Sequence, residues 1–540
     1  YNDIMAPGNY SCSRAGNPCM FVPIGGEVMM RKPRIRAIPF IAAVLLLIGL
    51  ILAAGDRLSA MFAPAPSDPV RRITLFYTSD EEGYLEPTRD RVRSYGGSAQ
   101  VMAALRQRGY LPGGEQSLLL SGGDMWTGPA ISTWFEGEST VAVMNAMGYQ
   151  AAAIGNHEFD FGQERLRANR KAARFPFLSA NLTVKDTGER PDYALPYILR
   201  EVNGVKVAVI GLTTRQTPGI VVPDNIAGLE VTDYAEALRR TVPRAAAEGA
   251  ELPVVIAHVC PTDLHTLVPV AAELSIPLML GGHCHSVVEN VEQKGVRIIG
   301  PGAHWQSFAQ VEIAFDKAAR KVVHTRADLV RVEHPLKGTP LPSDPAIAAI
   351  VAGWSKKAEA ALGEVIGYTR AGIPRGQPLY DLLLHSWLWA YPEADIAISN
   401  FGGFREAIAP GEITRADILT TWPFNNDIVS VDLTGAQLVE NLRRCGGAAA
   451  GLTYRRSGEE VEATLDSGRP LDPAATYRVL VNSYMYAGGD HYLFKTQNPN
   501  GTSLGVPMQD PVIRWIQAQK TSPQHPLETL LQDKALSPRR

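Results

Sequence analysis

The sequence predicts an α/β protein, and three observations carry this prediction. Short apolar runs that end in Gly and polar residues recur at 71–79, 117–124, 151–160, 206–214, 253–259 and 277–285. Helical patterns at 97–108 and 233–249 lie between such runs. Strands that alternate with helices form α/β sheets, and ligands bind at the carboxyl ends of the strands in these sheets. The polar residues after the runs are therefore expected at one edge.

Composition excludes several other classes of protein. The 540 residues include 52 Lys and Arg and 55 Asp and Glu, a formal net charge of −3. A nucleic-acid partner is not expected, because phosphate contacts need a surplus of basic residues. An apolar fraction of 45% is typical of a packed chain. Five cysteines are too few for a disulfide scaffold of this length. The length predicts two to four domains of about 150 residues each.

The amino-terminal region predicts export. Residues 38–54 are apolar and uncharged, and the basic stretch RKPRIR precedes them at 31–36. This order is typical of a signal peptide or of a single membrane anchor, and the small residues at 53–55 are compatible with cleavage. The alternative is a buried helix. Export places everything after Asp56 outside the cytoplasm, in the periplasm, at the cell surface or anchored to the membrane.

The first 28 residues are expected to lie outside the protein proper. The chain begins at Tyr1, and the pair Met29-Met30 stands directly before the basic stretch. We therefore expect residues 1–28 to be unstructured upstream read-through. Residues 29–69 are expected to contain the export segment, a signal peptide or signal anchor, and the Pro-rich tether that follows it.

Five blocks of metal-type side chains follow the predicted strands. In chain order they are Asp80-Glu81-Glu82, Gly123-Asp124, Gly155-Asn156-His157-Glu158, His258 and Gly282-His283-Cys284-His285. Two divalent cations about 3.5–4 Å apart need a bridging carboxylate and a mixed shell of oxygen and nitrogen donors. Asp124 suits the bridge, and Asn156 offers a neutral oxygen. The three histidines of the last two blocks, His258, His283 and His285, supply nitrogen.

The order of these blocks resembles the calcineurin-like metallophosphoesterases, from about residue 71 to 334. The segment GNHEFDFG at 155–162 is most similar to the 5′-nucleotidase and UDP-sugar hydrolase branch. The resemblance implies a four-layer α/β/β/α sandwich at 70–335 and two divalent metals, Mn²⁺, Zn²⁺ or Mg²⁺. It assigns Asp80, Asp124 and His285 to the first metal, and Asp124, Asn156, His258 and His283 to the second. It also makes His157 and Asp160 the catalytic pair and metal-activated hydroxide the nucleophile.

The chain departs from the family pattern at position 82, where Glu82 replaces the usual His of Asp-x-His. Two interpretations are open. Glu82 is either a ligand that makes the first site harder and more tolerant of Mn²⁺ or Mg²⁺ relative to Zn²⁺, or it points away and that metal is weakly held. The other histidines, His304 among them, belong to no block and are assigned structural or surface positions.

The cysteines beside the ligands have three interpretations. Cys260 and Cys284 are small residues in tight turns, soft ligands or a disulfide, and we favour the first. Cys445 is distant in sequence and is expected to be unpaired.

The carboxyl-terminal part resembles the second domain of the 5′-nucleotidases. The matching segments lie at 399–414, 422–426 and 482–492, and they predict a smaller α/β substrate-binding domain over 365–500. A linker helix is expected at 336–364, and a peripheral helix with a tail at 501–540. The resemblance implies that Arg405 binds phosphate, that Phe424 and Tyr484 clamp a base, and that Asn426, Asp490 and, more weakly, Asn400 contact ribose or base. Alternatively, the two aromatic residues belong to the core.

Together these patterns predict an exported dinuclear-metal phosphohydrolase acting on a nucleotide or nucleotide-sugar. The enzymatic alternatives are a 2′,3′-cyclic-nucleotide 2′-phosphodiesterase/3′-nucleotidase and a thiosulfohydrolase-like enzyme on the same scaffold. An alternative of another class is a membrane-tethered binding protein with a degraded metal site. The sequence leaves the oligomeric state open, and its richness in Ala, Arg, Gly and Pro indicates a GC-rich bacterial source.

Overall fold

The computed structural model describes residues 69–89, 93–337 and 339–532. The expected read-through segment and the export segment up to residue 68 lie outside the described residues. Within the described part of the chain, no helix combines the length and the apolar character needed to cross a membrane.

Residues up to 337 form strands and helices that alternate along the chain, as the sequence predicts. The strands are β1 Val70–Thr78, β2 Thr88–Arg89, β3 Arg93–Tyr95, β4 Ser117–Ser121, β5 Ala151–Ala153, β6 Phe177–Leu178, β7 Leu182–Val184, β8 Ala194–Leu195, β9 Tyr197–Val202, β10 Val205–Thr213, β11 Leu229–Val231, β12 Leu252–His258, β13 Leu278–Leu280, β14 Val287–Gln293, β15 Val296–Pro301, β16 Ser307–Asp316, β17 Lys321–Arg331 and β18 Glu333–Pro335. The helices are α1 Ser98–Gln107, α2 Ala130–Thr133, α3 Glu138–Met147, α4 Gly162–Ala172, α5 Thr217–Ile220, α6 Tyr234–Ala247, α7 Pro261–Leu264 and α8 Val268–Glu273.

Two large sheets pack face to face in this region. The strand orders are β17-β16-β1-β4-β5-β6-β8 and β14-β15-β13-β12-β10-β9. Alternation along each strand divides the apolar side chains between two faces. In β1, Ile73, Leu75 and Tyr77 point into the core between the sheets, whereas Phe76 packs in the helix layer with α1 and α3. The second sheet has its own outer core with α6 and α8. The predicted α/β/β/α sandwich is therefore present.

The parallel strands of the two sheets end at a common edge. Thr78 of β1 pairs with Ser121 of β4, and Ser121 pairs with Ala152 of β5. In the second sheet β10, β12, β13 and β15 are parallel neighbours in turn. Because the chain leaves all of these strands in the same direction, the polar blocks after them are brought together.

Residues 339–532 form a second, smaller α/β arrangement. Its strands are β19 Val365–Thr369, β20 Ile396–Ser399, β21 Gly411–Thr414, β22 Asp427–Thr434, β23 Ala448–Ala450, β24 Leu452–Ser457, β25 Glu460–Leu465, β26 Thr476–Asn482 and β27 Thr502–Pro507. Its helices are α9 Pro345–Leu362, α10 Gln377–Ala390, α11 Arg415–Thr421, α12 Gly435–Cys445, α13 Ser483–Tyr486, α14 Phe494–Gln497, α15 Asp510–Gln519 and α16 Leu527–Gln532. Helix α9 lies where the linker helix is expected.

A five-stranded sheet of order β23-β20-β26-β22-β27 forms the centre of this part. One face packs against α10 and α15, and the other packs against α12. The prediction that residues 501–540 form a peripheral helix and a tail is wrong for 502–519. Strand β27 pairs with β22, and Val512, Trp515 and Ile516 of α15 are buried in the core. The apolar residues within 512–516 pack α15 into the core. Because polar residues flank this short run, the sequence pattern did not predict a buried helix.

We expect Trp515→Ala to lower the free energy of unfolding by about 3–5 kcal/mol, because it removes a large side chain from a packed core. Trp515 is 5% exposed, whereas Trp389 of α10 is 42% exposed and provides the matched control. Chemical denaturation of both Trp→Ala variants measures the difference. Equal, small losses would contradict the placement of α15 in the core.

Candidate functional site

The residues that follow the parallel strands form one cluster. Asp80 follows β1, Asp124 follows β4, Asn156 follows β5, His258 ends β12 and His283 follows β13. All except His283 are buried, and His285 is 36% exposed. The seven predicted ligand positions, with Glu82 and His285 included, are therefore brought to a single edge of the sandwich.

Several of these residues adopt a left-handed backbone conformation. The φ angles are 52° for Asp80, 43° for Glu82, 54° for Asp124, 69° for His283 and 52° for His285. Each such residue costs about 1–2 kcal/mol relative to a right-handed conformation. Backbone hydrogen bonds hold the turns: the Asp80 amide donates to the Gly123 carbonyl and the Glu82 amide donates to the Asp124 carbonyl, at 2.9 and 2.8 Å.

Two glycines give these turns the room they need. A Cβ at Gly155 would overlap the carboxylate of Asp124. A Cβ at Gly282 would overlap the Ser79 hydroxyl and would lie 2.9 Å from a carboxylate oxygen of Asp80. Glycine is therefore required beside both carboxylates, which explains its place in the predicted blocks.

One group of donors converges on Asp124. His258 Nε2 lies 2.9 Å from Asp124 Oδ2 and 3.2 Å from Asn156 Oδ1. The rings of His258 and His283 lie 5.0 Å apart, centroid to centroid. His258 Nδ1 donates to the Gly122 carbonyl at 3.0 Å, which leaves Nε2 facing the carboxylate. Burial and the neighbouring His258 lower the pKa of His283 to about 3, so His283 is in the neutral form that binds metals.

A second group of donors converges on Glu82. His285 Nε2 lies 3.2 Å from Glu82 Oε1 and 3.6 Å from Asp80 Oδ1. His304 Nε2 lies 2.8 Å from Glu82 Oε2. The interpretation in which Glu82 points away is wrong, since its carboxylate is 1% exposed and faces the cluster. Burial raises the pKa of Glu82, but Arg405 and the two histidines together lower it by more than burial raises it. The pKa of Glu82 is therefore well below the usual range.

These donors are of the kinds that divalent cations bind. Each group combines carboxylate oxygen with imidazole nitrogen, and the group around Asp124 adds the neutral amide oxygen of Asn156. The two groups are contiguous, because donor atoms of Glu82, Asp124 and His157 lie within 4.8 Å of one another. Asp124 can therefore serve both, which is the bridging role predicted for it.

His157 stands beside the cluster and is oriented by Asp160. Its Nδ1 lies 2.7 Å from Asp160 Oδ2, so Nε2 faces the cluster, 3.8 Å from Glu82 Oε1 and 3.9 Å from Asp124 Oδ2. Burial lowers the pKa of His157, but the carboxylates of Asp160 and Asp124 raise it to about 10. The imidazole is therefore held in its protonated form.

A cavity of about 400 Å³ opens beside His157 and Asp160. All six predicted substrate residues line it, namely Asn400, Arg405, Phe424, Asn426, Tyr484 and Asp490. Arg405 donates one hydrogen bond to Glu82, and its guanidinium lies 5.9 Å from the centroid of the Phe424 ring. Phe424 is half-buried, with its ring 6.0 Å from that of His157.

Tyr484 differs from the expectation of an open aromatic face. It is 7% exposed and belongs to the core beside β26, which agrees in part with the alternative of a core aromatic. Its hydroxyl donates to Asp490 at 2.6 Å, and Asn400 donates to the other Asp490 oxygen at 2.9 Å. Phe424 is therefore more exposed than Tyr484 in this cavity.

Cys260 and Cys284 form a disulfide with their Cα atoms 5.2 Å apart. The favoured interpretation of two small residues in tight turns is therefore wrong, because the two sulfurs are bonded to each other across a sequence separation of 24 residues. The bond joins the loop after His258 to the loop of His283 and His285. Cys445 is the free cysteine among the described residues, as expected.

The sequence interpretation missed two residues of this site. His304 was assigned to a structural or surface position, yet it follows β15 and Gly302 in the same strand-Gly-His pattern as the other blocks. Glu158, which lies within a recognised block, accepts hydrogen bonds from the amides of Asp124, Met125 and Gly155 at 2.9, 2.8 and 2.6 Å. It thereby holds the left-handed turn of Asp124.

Comparisons with known proteins agree with this architecture. Residues 367–496 match the family described as 5′-nucleotidase, C-terminal domain. The chain is 28% identical over 500 residues to a 5′-nucleotidase of Vibrio vulnificus, covering 81% of this chain and 89% of that protein. It is also 28% identical over 407 residues to endonuclease YhcR of Bacillus subtilis, covering 69% of this chain. The chain spans about a third of the length of that relative.

Two solved structures share the fold. A 5′-nucleotidase precursor from Thermus thermophilus superimposes with a TM-score of 0.72 at 23% identity, covering 84% of this chain and 97% of the other. The sulfate thiohydrolase SoxB of the same organism does so with a TM-score of 0.66 at 20% identity, covering 85% and 96%.

The chain thus combines an α/β/β/α sandwich with a smaller α/β region, and the smaller region contains the segment that matches the family described as 5′-nucleotidase, C-terminal domain. The resemblance of the chain to the 5′-nucleotidase family is confirmed, both by its C-terminal domain and by relatives that match it along most of its length.

We expect Glu158→Gln to weaken metal binding about 10-fold or more, because an amide nitrogen would face backbone N–H groups that now donate to a carboxylate. Titration of the metal-free protein with Mn²⁺ measures the affinity. Glu164→Gln, on the exposed surface of α4, is the matched control. Unchanged affinity in a folded Glu158→Gln variant would contradict this role.

Proposed function

We propose that this protein is an exported dinuclear-metal phosphohydrolase that removes phosphate from nucleotides, in the manner of 5′-nucleotidases and UDP-sugar hydrolases. Its similarity along most of its length to a 5′-nucleotidase supports assignment to the nucleotide phosphohydrolases. One observation carries the finer proposal. The donor cluster and the cavity with Arg405 and Phe424 meet at His157, so a phosphate at the cluster has space for a nucleoside beside it.

The proposed metal ligands are Asp80, Glu82, Asp124 and His285 for one cation, and Asp124, Asn156, His258 and His283 for the other. Two bound divalent cations, Mn²⁺, Zn²⁺ or Mg²⁺, would supply a hydroxide nucleophile at neutral pH and offset the charge of the phosphoryl group. The donor chemistry supports this assignment, because oxygen and imidazole ligands are those that such cations accept.

We propose that the protonated imidazole of His157 stabilises the phosphoryl group during the reaction. Asp160 holds the ring at Nδ1, which leaves the Nε2–H directed at the cluster. A fixed cationic donor that faces developing negative charge lowers the barrier without reorganisation.

The nucleoside would bind across the remaining wall of the cavity. Phe424 would stack on the base, since each base that stacks on an aromatic ring gains about 1–3 kcal/mol. Asp490 is fixed by Tyr484 and Asn400 and can accept hydrogen bonds from ribose hydroxyls. Arg405 keeps donors beyond the one used by Glu82 and can bind a phosphate oxygen. Asn426 completes the polar lining.

The disulfide supports the proposed location outside the cytoplasm. Disulfides persist in oxidising compartments and are rare in the reducing cytosol. The bond between Cys260 and Cys284 therefore agrees with export directed by the apolar segment at 38–54.

We expect the purified protein to release phosphate from AMP, and from UDP-glucose after its cleavage to UMP and glucose 1-phosphate, when Mn²⁺, Zn²⁺ or Mg²⁺ is present. Chelation should abolish the release. A colorimetric phosphate assay over a panel that adds 3′-AMP and 2′,3′-cyclic AMP separates the 5′-nucleotidase from the cyclic-nucleotide alternative. No release from any member with any of the metals would overturn the proposal.

We expect His157→Asn to lower kcat by about 10²- to 10³-fold, the usual cost of removing one donor that stabilises charge in the transition state. Metal content should stay near two ions per chain, because His157 is not a proposed ligand. Elemental analysis and steady-state kinetics on the same preparation measure both quantities. His324→Asn, on exposed β17, is the control. Full activity of His157→Asn would refute the role.

A further inference from the structure

The carboxylate of Glu82 is shared by three side chains from distant parts of the chain. Arg405 donates to Oε1, His285 Nε2 lies 3.2 Å from the same oxygen, and His304 Nε2 lies 2.8 Å from Oε2. Glu82, His285 and His304 offer ligand atoms that all lie within 4.8 Å of one another. The group formed by Asp124, His258 and His283 meets the same distance limit.

His304 has the same local construction as the residues proposed as ligands. It has a left-handed backbone with φ of 58°, and it follows a parallel strand and a glycine. Its amide donates to the carbonyl of Asp80 at 2.8 Å, so its backbone is tied to the first ligand turn. The positive φ of His304 and its hydrogen bond to the Asp80 turn are unexpected for a surface histidine, but they are expected for a residue of the ligand cluster.

The ring of His304 is held in one orientation by Tyr84. The two rings are stacked with centroids 3.8 Å apart and an interplanar angle of 17°. The Tyr84 hydroxyl in turn donates to Glu406 at 2.5 Å. Fixed in this way, Nε2 of His304 faces the Glu82 carboxylate, and its ring lies 5.2 Å from that of His285.

Charge and donor type explain why the three groups belong together. Glu82 places a charged oxygen where the family pattern has a neutral nitrogen, which changes both the charge and the softness of the first site. His304 restores an imidazole, and the Arg405 guanidinium offsets the added negative charge. Glu82 and His304 thus supply jointly what a single histidine supplies in the usual Asp-x-His pattern.

We propose that His304 is a ligand of the first divalent cation and that, together with Glu82, it replaces the missing histidine at position 82. This proposal rests on the proposed two-metal function. The rival role for His304 is purely structural, as a hydrogen-bond donor that positions Glu82.

Two variants of His304 separate these roles. His304→Gln keeps an N–H that can donate to Glu82 but replaces the imidazole nitrogen with an amide oxygen, a weaker ligand. His304→Phe keeps the ring that stacks on Tyr84 but loses both nitrogens. The control is His324→Phe, on exposed β17. Circular dichroism and thermal unfolding establish that each variant is folded, and Glu82→Gln is the substitute if neither His304 variant folds.

The readout is Mn²⁺ binding and electron paramagnetic resonance of the reconstituted protein. We expect two Mn²⁺ per chain and a spin-coupled spectrum for the unaltered protein and for His324→Phe. For both His304 variants we expect one tightly bound Mn²⁺ with a mononuclear six-line spectrum, the second ion binding at least about 10-fold more weakly.

Two results are decisive against the proposals, and they differ. Two Mn²⁺ at unaltered affinity in a folded His304→Phe variant, which has no ligand atom at this position, would overturn the ligand role of His304 and leave the proposed function intact. Fewer than two Mn²⁺ in the unaltered protein would instead overturn the dinuclear function itself.

Discussion

The donor cluster depends on one backbone constraint, the left-handed turn that follows β1, β4, β13 and β15 at the common edge. Asp80, Asp124, His283 and His304 all adopt positive φ, a conformation that costs a residue other than glycine about 1–2 kcal/mol. The surrounding hydrogen bonds compensate for this cost. Without the turns, the chain would continue past the edge and the side chains would not point toward one another.

Two buried glutamates stabilise these turns by accepting hydrogen bonds from them and from the ends of the preceding strands. Glu158 accepts three amides around Asp124 and Gly155, and Glu81 accepts hydroxyls from Thr78 and Ser121 at the ends of β1 and β4. Burial raises the pKa of Glu81 to about 8 and that of Glu158 to about 7. The disulfide adds a covalent connection between the loops of the second sheet. The site is thus built on turns that buried hydrogen bonds and a disulfide connect.

The same edge also connects the two halves of the described chain. Arg405 and Glu406 are neighbours, and they bind Glu82 and Tyr84 of the first ligand turn. The Ala130 amide donates to Thr420 at 3.0 Å nearby. The residues proposed to read the nucleoside are therefore positioned directly against those proposed to hold the metals, and Glu82 belongs to both sets of contacts.

The α/β class, the strands that end in polar blocks and most of the donors follow from the sequence alone, because apolar runs and glycine turns are local patterns. The resemblance of the carboxyl-terminal sequence to the 5′-nucleotidases also indicates the six predicted substrate residues of the cavity. The direction of Glu82, the pairing of Cys260 with Cys284, the burial of α15 and the place of His304 emerge only in the folded chain. Each of these depends on segments far apart in sequence that meet in three dimensions, and no local pattern records such a meeting.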